Sequence, residues 1–439
     1  VSDQDVPTVS DAGEAYARTV ADVLEKGHPI VAGRAKSTGS ERDTHELLNY
    51  GFRIQYPRER LPWRDGVDFK LPMAVARFVW MMAKNDRLSD IEFYASDRMR
   101  NFSDDGILVP GSSYGKRMLD ARPGLDQIAQ VIRRLKEDPS TRRAAVSIYQ
   151  AEDAARESKD IPCAFGMVFN IRESRMHTTV LMRSNNASKL LQYNLFEFSM
   201  LAEAVASECD VAFGPLYYHA VSMHVYDEPK LTDEMLSKML VERPDRVPMP
   251  TISRQAPMQQ IRELVKLEAQ ARSHGVRLSD DALNGLIADC DAILVPYWRQ
   301  FFYVLLVYIA DRANLETGLD RLHGLLNDPW RAYLPQPLSS GEASRPAKAN
   351  ETFAKPSPAT IRAETPIGES RLKSLEERCM EQDHLFQEAG RPSLSFSEFR
   401  SLRTNLVTPP DELLLAARDL QPIIERDEFR AALEKIRPS

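Results

Sequence analysis

Apolar residues recur every three to four positions over residues 12–26 (AGEAYARTVADVLEK), the spacing of a single helix face, and Gly27 closes the run. The same rhythm marks 72–84 (PMAVARFVWMMAK), where Pro72 suits a first helical turn, and 124–137, which stops at Asp138-Pro139. Residues 44–56 alternate instead, and LLNYGFRIQY reads as a strand. From 141 to 226 the texture becomes β-rich: RRAAVSIYQ, AFGMVFNI and MHTTVLMRS are short runs separated by polar turns. LQYNLFEFSMLAEAVASE then predicts a long helix, and YYHAVSMHVY predicts another strand. Strands interleaved with helices indicate an α/β or α+β domain. Residues 258–333 are helical in pattern. Their longest apolar run, FFYVLLVYIA at 301–310, is too short to span a bilayer and reads as a buried helix.

Residues 335–369 are rich in Pro, Ser, Ala and charge, a flexible-linker composition, and 370–439 return to helical periodicity. The expected organisation is a main domain over 1–334, a linker over 335–369 and a helical C-terminal extension over 370–439. An apolar share of 43% in 439 residues supports a sizeable core. A net charge of −7 argues against a nucleic-acid-binding surface. Four scattered cysteines (Cys163, Cys209, Cys290, Cys379), with no CxxC or HExxH, give no support to a metal site and suit a reducing cytosol. The acidic, polar first residues do not read as a signal peptide, so a cytoplasmic, membrane-free protein is expected.

KDIPCAFGMVFNI puts Cys163 after a proline at the start of a predicted strand. A cysteine is a strong nucleophile only as thiolate, so it needs positive neighbours. MRSNNASKLLQYNLFEF and HAVSMHVY supply Arg183, Ser184, Asn186, Gln192, Asn194, His219, His224 and Tyr226. Together they offer a nucleophile, a cation to favour its thiolate, an amide to read a base edge and a His/Tyr pair for a sugar. A lone strand cysteine is more often a buried hydrophobe, so the residues alone leave both readings open.

The ordered motifs go further. Pro162-Cys163 is followed by Arg183-Ser184 at a spacing of 183 − 163 = 20, by Asn194 at 194 − 183 = 11 and by His224-x-Tyr226 at 224 − 194 = 30. Upstream, DPSTRR (138–143) precedes them, and SSYGKR (112–117) follows FSDDG. This series resembles the thymidylate synthase family, including its nucleotide hydroxymethylase branch, over residues 30–230. The resemblance implies a mixed β-sheet flanked by helices, paired back to back with a twin sheet in a homodimer. It implies Cys163 as the nucleophile toward carbon 6 of a pyrimidine nucleoside monophosphate, with 5,10-methylenetetrahydrofolate as the one-carbon donor. By the same resemblance Arg183 and Ser184 hold the phosphate, and Arg142 and Arg143, supplied by the partner subunit, complete its clamp. Arg42, with Arg34 as a rival, stands for the loop arginine. Asn194 reads the base, Gln192 joins the substrate pocket, His224 and Tyr226 hold the sugar hydroxyl, and Tyr114 assists proton transfer at carbon 5.

Three departures qualify the resemblance. The family's glutamate at the head of its Glu-Leu-Leu-Trp-Phe-Leu helix is Arg77 here. Its pterin-facing aspartate is Asn186, with Leu190 at a nearby glycine position and Ala164 after the cysteine. Residues 83–113 lack tryptophan, and the chain continues far past the family's short closing tail. An open or rebuilt folate side favours water over hydride at the transferred carbon, so hydroxymethyl transfer is expected. Thymidylate synthesis, and nucleotide binding without chemistry, stay as alternatives. Asn194 leans toward uracil over cytosine.

Overall fold

The protein, seen in a computed structural model, is described over residues 6–30, 43–95, 97–122, 124–227 and 231–334. Arg42 and its rival Arg34, the linker 335–369 and the extension 370–439 lie outside the described residues.

The strands are β1 (Thr8–Val9), β2 (His28–Ile30), β3 (Thr44–Ile54), β4 (Ala145–Ser147), β5 (Ala164–Arg172), β6 (Arg175–Asn186) and β7 (Ala212–Tyr226). The helices up to the last strand are α1 (Ala12–Lys26), α2 (Leu71–Met82), α3 (Leu88–Glu92), α4 (Tyr114–Leu119), α5 (Gln127–Glu137), α6 (Ala151–Ala155) and α7 (Leu191–Glu208). After it come α8 (Asp233–Leu240), α9 (Pro257–His274), α10 (Asp280–Ile293), α11 (Pro296–Arg312), α12 (Glu316–Leu325) and α13 (Trp330–Tyr333).

The strands form one mixed sheet in the order β1-β3-β7-β6-β5-β4, with β2 added to β3. β6 and β7 run parallel, and β5 and β3 flank them antiparallel. This is the mixed, helix-flanked sheet that the resemblance implied. Alternation sorts the strands into two faces. Val180, Met182, Tyr218 and Ala220 are buried beneath α1 and α7. Thr179, Leu181, Tyr217 and His219 pair across β6 and β7 on the opposite face and are only half-buried.

Helix α7 follows the predicted run, and sixteen consecutive residues from Leu191 to Ala206 are buried. A helix buried on all sides crosses the middle of its domain. It packs on β6, β7, α1, α2 and α9. The residues 258–333, predicted helical, form α9 to α13 around α11, whose Trp298, Phe301 and Phe302 are fully buried. Trp298 stacks on Phe78 of α2 with centroids 6.4 Å apart. Within the RRAAVSIYQ run Ala145–Ser147 form the regular strand β4, and Ala144 and Ile148 add backbone hydrogen bonds to β5 at its two ends.

Candidate active site

Cys163 sits just before β5, in a loop fixed from two sides. The buried Asp160 carboxylate accepts from Gly111 N–H and from Ser112 Oγ, both at 2.6 Å. The Cys163 carbonyl accepts from the backbone N–H of Arg183 at 2.6 Å and of Ser184 at 3.3 Å. The Arg183 side chain folds back so that Nε donates to the Pro162 carbonyl at 3.2 Å. The spacing of twenty residues between Cys163 and Arg183 is thus one antiparallel hairpin, β5 to β6, that returns the arginine to the cysteine loop.

Tyr114 opens α4. A side-chain carbon on Gly115 would lie 1.4 Å from the Met81 carbonyl, so only glycine lets α4 settle on the end of α2. That contact presses Tyr114 into the interior, where its ring stacks on Phe198 of α7 at 5.8 Å.

Three polar groups meet under α7. The Tyr218 hydroxyl donates to Asn185 Oδ1 at 2.5 Å, and Asn194 Nδ2 donates to the same oxygen at 3.4 Å. Asn185 and Asn194 are both buried. One turn along α7 from Asn194, Glu197 forms a buried ion pair with Arg77 of α2. Ser184 Oγ lies 3.4 Å from His224 Nδ1, and the His224 ring meets Tyr226 edge-on at 5.3 Å. The Asn186 side-chain oxygen accepts from Lys189 N–H at 2.8 Å and from Ser188 Oγ at 3.2 Å, capping the turn into α7. Gln192 is buried, and its Oε1 has no hydrogen-bond partner.

Burial sets the electrostatics. It pushes the Cys163 thiol up; Arg183 and Arg77 pull it down, and Asp160 adds to the rise. It holds the Tyr114 hydroxyl well above its ordinary value, with Cys163, Tyr218 and Glu197 adding to the effect and Arg77 opposing it. Tyr218 is likewise raised by burial, against a hydrogen bond from Asn194. Burial lowers His224 to about 4, with Glu46 opposing and Arg183 assisting, so the ring is neutral at physiological pH.

The structure therefore brings Cys163, Arg183, Ser184, Asn194, Tyr114 and His224 to one end of the sheet. Arg142 and Arg143 do not join them within a chain. They are exposed on the turn before β4, and Ala145 beyond them pairs with Val168, halfway along β5 from the cysteine. His219 lies on the opposite sheet face from Tyr218. Three residues of the cluster, Asn185, Tyr218 and Glu197, escaped the sequence reading. Tyr218 was legible as the buried phase of an alternating strand, and Glu197 as a lone carboxylate in the apolar run LFEFSML. Nothing short of the fold pairs Asn185 with either.

Among the described residues no cluster of His, Cys, Asp or Glu could hold a metal ion, and no helix is long and apolar enough to cross a membrane.

The sequence model of the thymidylate synthase family matches residues 14–271. The chain belongs to the thymidylate synthase family. Its class of chemistry is therefore transfer to carbon 5 of a pyrimidine, in a family that is folate-dependent and usually dimeric. Two kinds of relative share this membership. A deoxyuridylate hydroxymethyltransferase of Delftia phage PhiW-14 is 25% identical over 335 residues, 68% of this chain and 92% of that protein. A Methanothermobacter marburgensis protein with a provisional thymidylate synthase name is 28% identical over 226 residues, 50% of this chain and 92% of its own. Among solved structures, thermostable thymidylate synthase A from Bacillus subtilis matches with a TM-score of 0.44 and 17% identity, covering 54% of this chain and 87% of that one.

Proposed function

We propose that the protein is a folate-dependent hydroxymethylase acting at carbon 5 of a uracil nucleoside monophosphate through a Cys163 adduct. The observation that carries the chemistry is the convergence of Cys163, Arg183 and the Asn194–Asn185–Tyr218 network at one end of the sheet. The Cys163 sulfur adds to ring carbon 6, and the displaced electron pair moves onto the carbon-4 oxygen, which makes carbon 5 nucleophilic. Arg183 favours the thiolate and binds phosphate as a planar fork. An amide carries both a donor and an acceptor, so Asn194 reads O4 and N3–H of uracil together. Tyr114, kept protonated by its burial, acts as a hydrogen-bond donor beside the cysteine in the resting enzyme. Neutral His224 and Tyr226 hold a sugar hydroxyl, and Ser184 adds a phosphate hydrogen bond.

The unpartnered Gln192 Oε1 at the head of α7 is a buried acceptor that fits a ring bearing N–H groups. Gln192 would hold methylenetetrahydrofolate or the nucleotide, and Asn186 shapes the adjoining turn. The folate supplies the one-carbon unit.

Hydroxymethyl transfer is favoured over methyl transfer because Asn186 replaces the family's pterin-facing aspartate and residues 83–113 lack tryptophan, a rebuilt folate side that favours water over hydride at the transferred carbon. The protein acts as a homodimer joined through the half-buried sheet face, and Arg142 and Arg143 serve the partner's phosphate.

Release of tritium from carbon 5 of dUMP, UMP, dCMP and CMP, with and without methylenetetrahydrofolate, tests this reading. Release from a uracil nucleotide, with a product heavier by CH2O, is the expected result. A product heavier by CH2 makes the protein a thymidylate synthase. No release from any of the four leaves a nucleotide-binding protein. Asn194→Asp should move the preference toward cytosine, because a carboxylate accepts from the 4-amino group.

A further inference from the structure

The Asn194 amide is not free to turn. It belongs to a buried chain of side chains whose polarity begins at the backbone. The Asn186 carbonyl can only accept, and Asn185 Nδ2 donates to it at 3.2 Å. That fixes the Asn185 amide and points its Oδ1 the other way. This oxygen accepts from the Tyr218 hydroxyl at 2.5 Å and from Asn194 Nδ2 at 3.4 Å. Tyr218 has thereby given its one proton to Asn185, and its own oxygen also accepts from Asn194. The two accepting oxygens are 2.5 Å apart, so one Asn194 N–H serves both as a three-centre bond. Its second N–H and its Oδ1 are left for a ligand. Asn185, Asn194 and Tyr218 are each at most 3% exposed, so water does not replace a lost partner. The nine residues from Asn185 to Asn194 are the turn from β6 into α7, which brings the two amides together.

An unrestrained asparagine reads uracil and cytosine alike. Uracil presents O4, an acceptor, beside N3–H, a donor. Cytosine presents a 4-amino donor beside N3, an acceptor. Turning the amide over exchanges its donor and acceptor and suits the other base. Here a turned Asn194 would set its Oδ1 against Asn185 Oδ1 and the Tyr218 oxygen, three acceptors with one proton among them in a buried place. We propose that Asn185 is a specificity-determining residue of the base site, a positioning residue that locks the Asn194 amide in the orientation that suits uracil and refuses cytosine. The lock runs from the Asn186 carbonyl through Asn185 to Asn194, and Tyr218 braces it from β7.

This inference rests on Asn194 as the reader of a uracil base, and its test needs no turnover. Equilibrium dialysis of the full chain against dUMP and dCMP, without folate, reads the preference as a ratio of dissociation constants. The two nucleotides share sugar and phosphate, so a general loosening of the site weakens both and leaves the ratio unchanged. The parent protein should prefer dUMP. Asn185→Leu, similar in size but without an acceptor, should cut that preference about tenfold, chiefly through tighter binding of dCMP. Asn185→Ala makes the same test if the leucine variant does not fold. Asn185→Asp keeps an accepting oxygen and should keep the preference, and Asn194→Ala should abolish it. A ratio unchanged in folded Asn185→Leu or Asn185→Ala but lost in Asn194→Ala overturns the lock and leaves Asn194 as the reader. A ratio unchanged in Asn194→Ala overturns both. A ratio lost in Asn185→Asp, or no preference for dUMP in the parent, also overturns the inference. Absence of tritium release from the parent protein would overturn the proposed reaction and leave the lock standing.

Discussion

Cys163 gains its meaning from neighbours that lie far away in sequence. Burial alone would leave it an inert thiol. Arg183 returns to it through the β5–β6 hairpin and works against that burial. Cys163→Ser should abolish tritium release while leaving nucleotide binding intact, as equilibrium dialysis would show. Arg183→Ala should weaken nucleotide binding and raise the pH needed to alkylate Cys163. His224 makes a prediction about stability. Its folded pKa of about 4 lies below the ordinary value of 6.5. Between those values the unfolded chain takes up a proton that the folded chain refuses, so stability is lost as pH falls through this window. The full loss below it is on the order of 3 kcal/mol. Urea titrations from pH 7 to pH 5 should show the loss in the parent protein and a flatter profile in His224→Asn. Equal slopes would place the ring in a wetter setting than the one described.

Helix α7 is the element that organises the site. It carries Asn194, Glu197 and Phe198 on its buried length, and its neighbours α2 and α4 bring Arg77 and Tyr114 to it. The approach of α4 to α2 depends on one missing side chain. Gly115→Ala would drive a methyl group into the Met81 carbonyl. Overpacking of this kind costs about 1–3 kcal/mol. A lower urea midpoint is expected, with a fall in turnover larger than the change in KM, since Tyr114 moves with the helix. The boundaries of the longer helices were largely legible, because Gly27 caps α1, Pro72 opens α2 and Asp138 ends α5. The β-rich run RRAAVSIYQ holds the short strand β4, and backbone hydrogen bonds of Ala144 and Ile148 with β5 extend the contact by a residue on each side.

The helical block α9–α13 shares the core of the sheet domain. Arg60 is fully buried, paired with Glu203 of α7, and its guanidinium reaches the Tyr297 hydroxyl of α11 at 3.4 Å. Trp298→Ala should cost about 3–5 kcal/mol and lower one cooperative transition, not a separate one for the block. Two transitions in calorimetry would show independent folding. The proposed dimer has its own test. Arg143→Ala and Cys163→Ser should each be inactive alone. Mixed and reassociated, they should recover part of the activity, because the intact cysteine of one subunit meets the intact arginine of the other. No recovery from a verified heterodimer would return Arg143 to its own chain.

Periodicity, caps and the order of short motifs were enough to specify the longer helices, most strands and the family, and to single out Cys163 as the candidate nucleophile, since each depends on residues near one another or on fixed spacings. The charge relations depended on folding. Arg77 read as a reversed charge until the packing of α2 on α7 supplied Glu197, 120 residues away. Asn185 and Tyr218 became partners of Asn194 only where β6, β7 and α7 meet. A linear pattern records which face a side chain takes, and long-range packing chooses what that face meets.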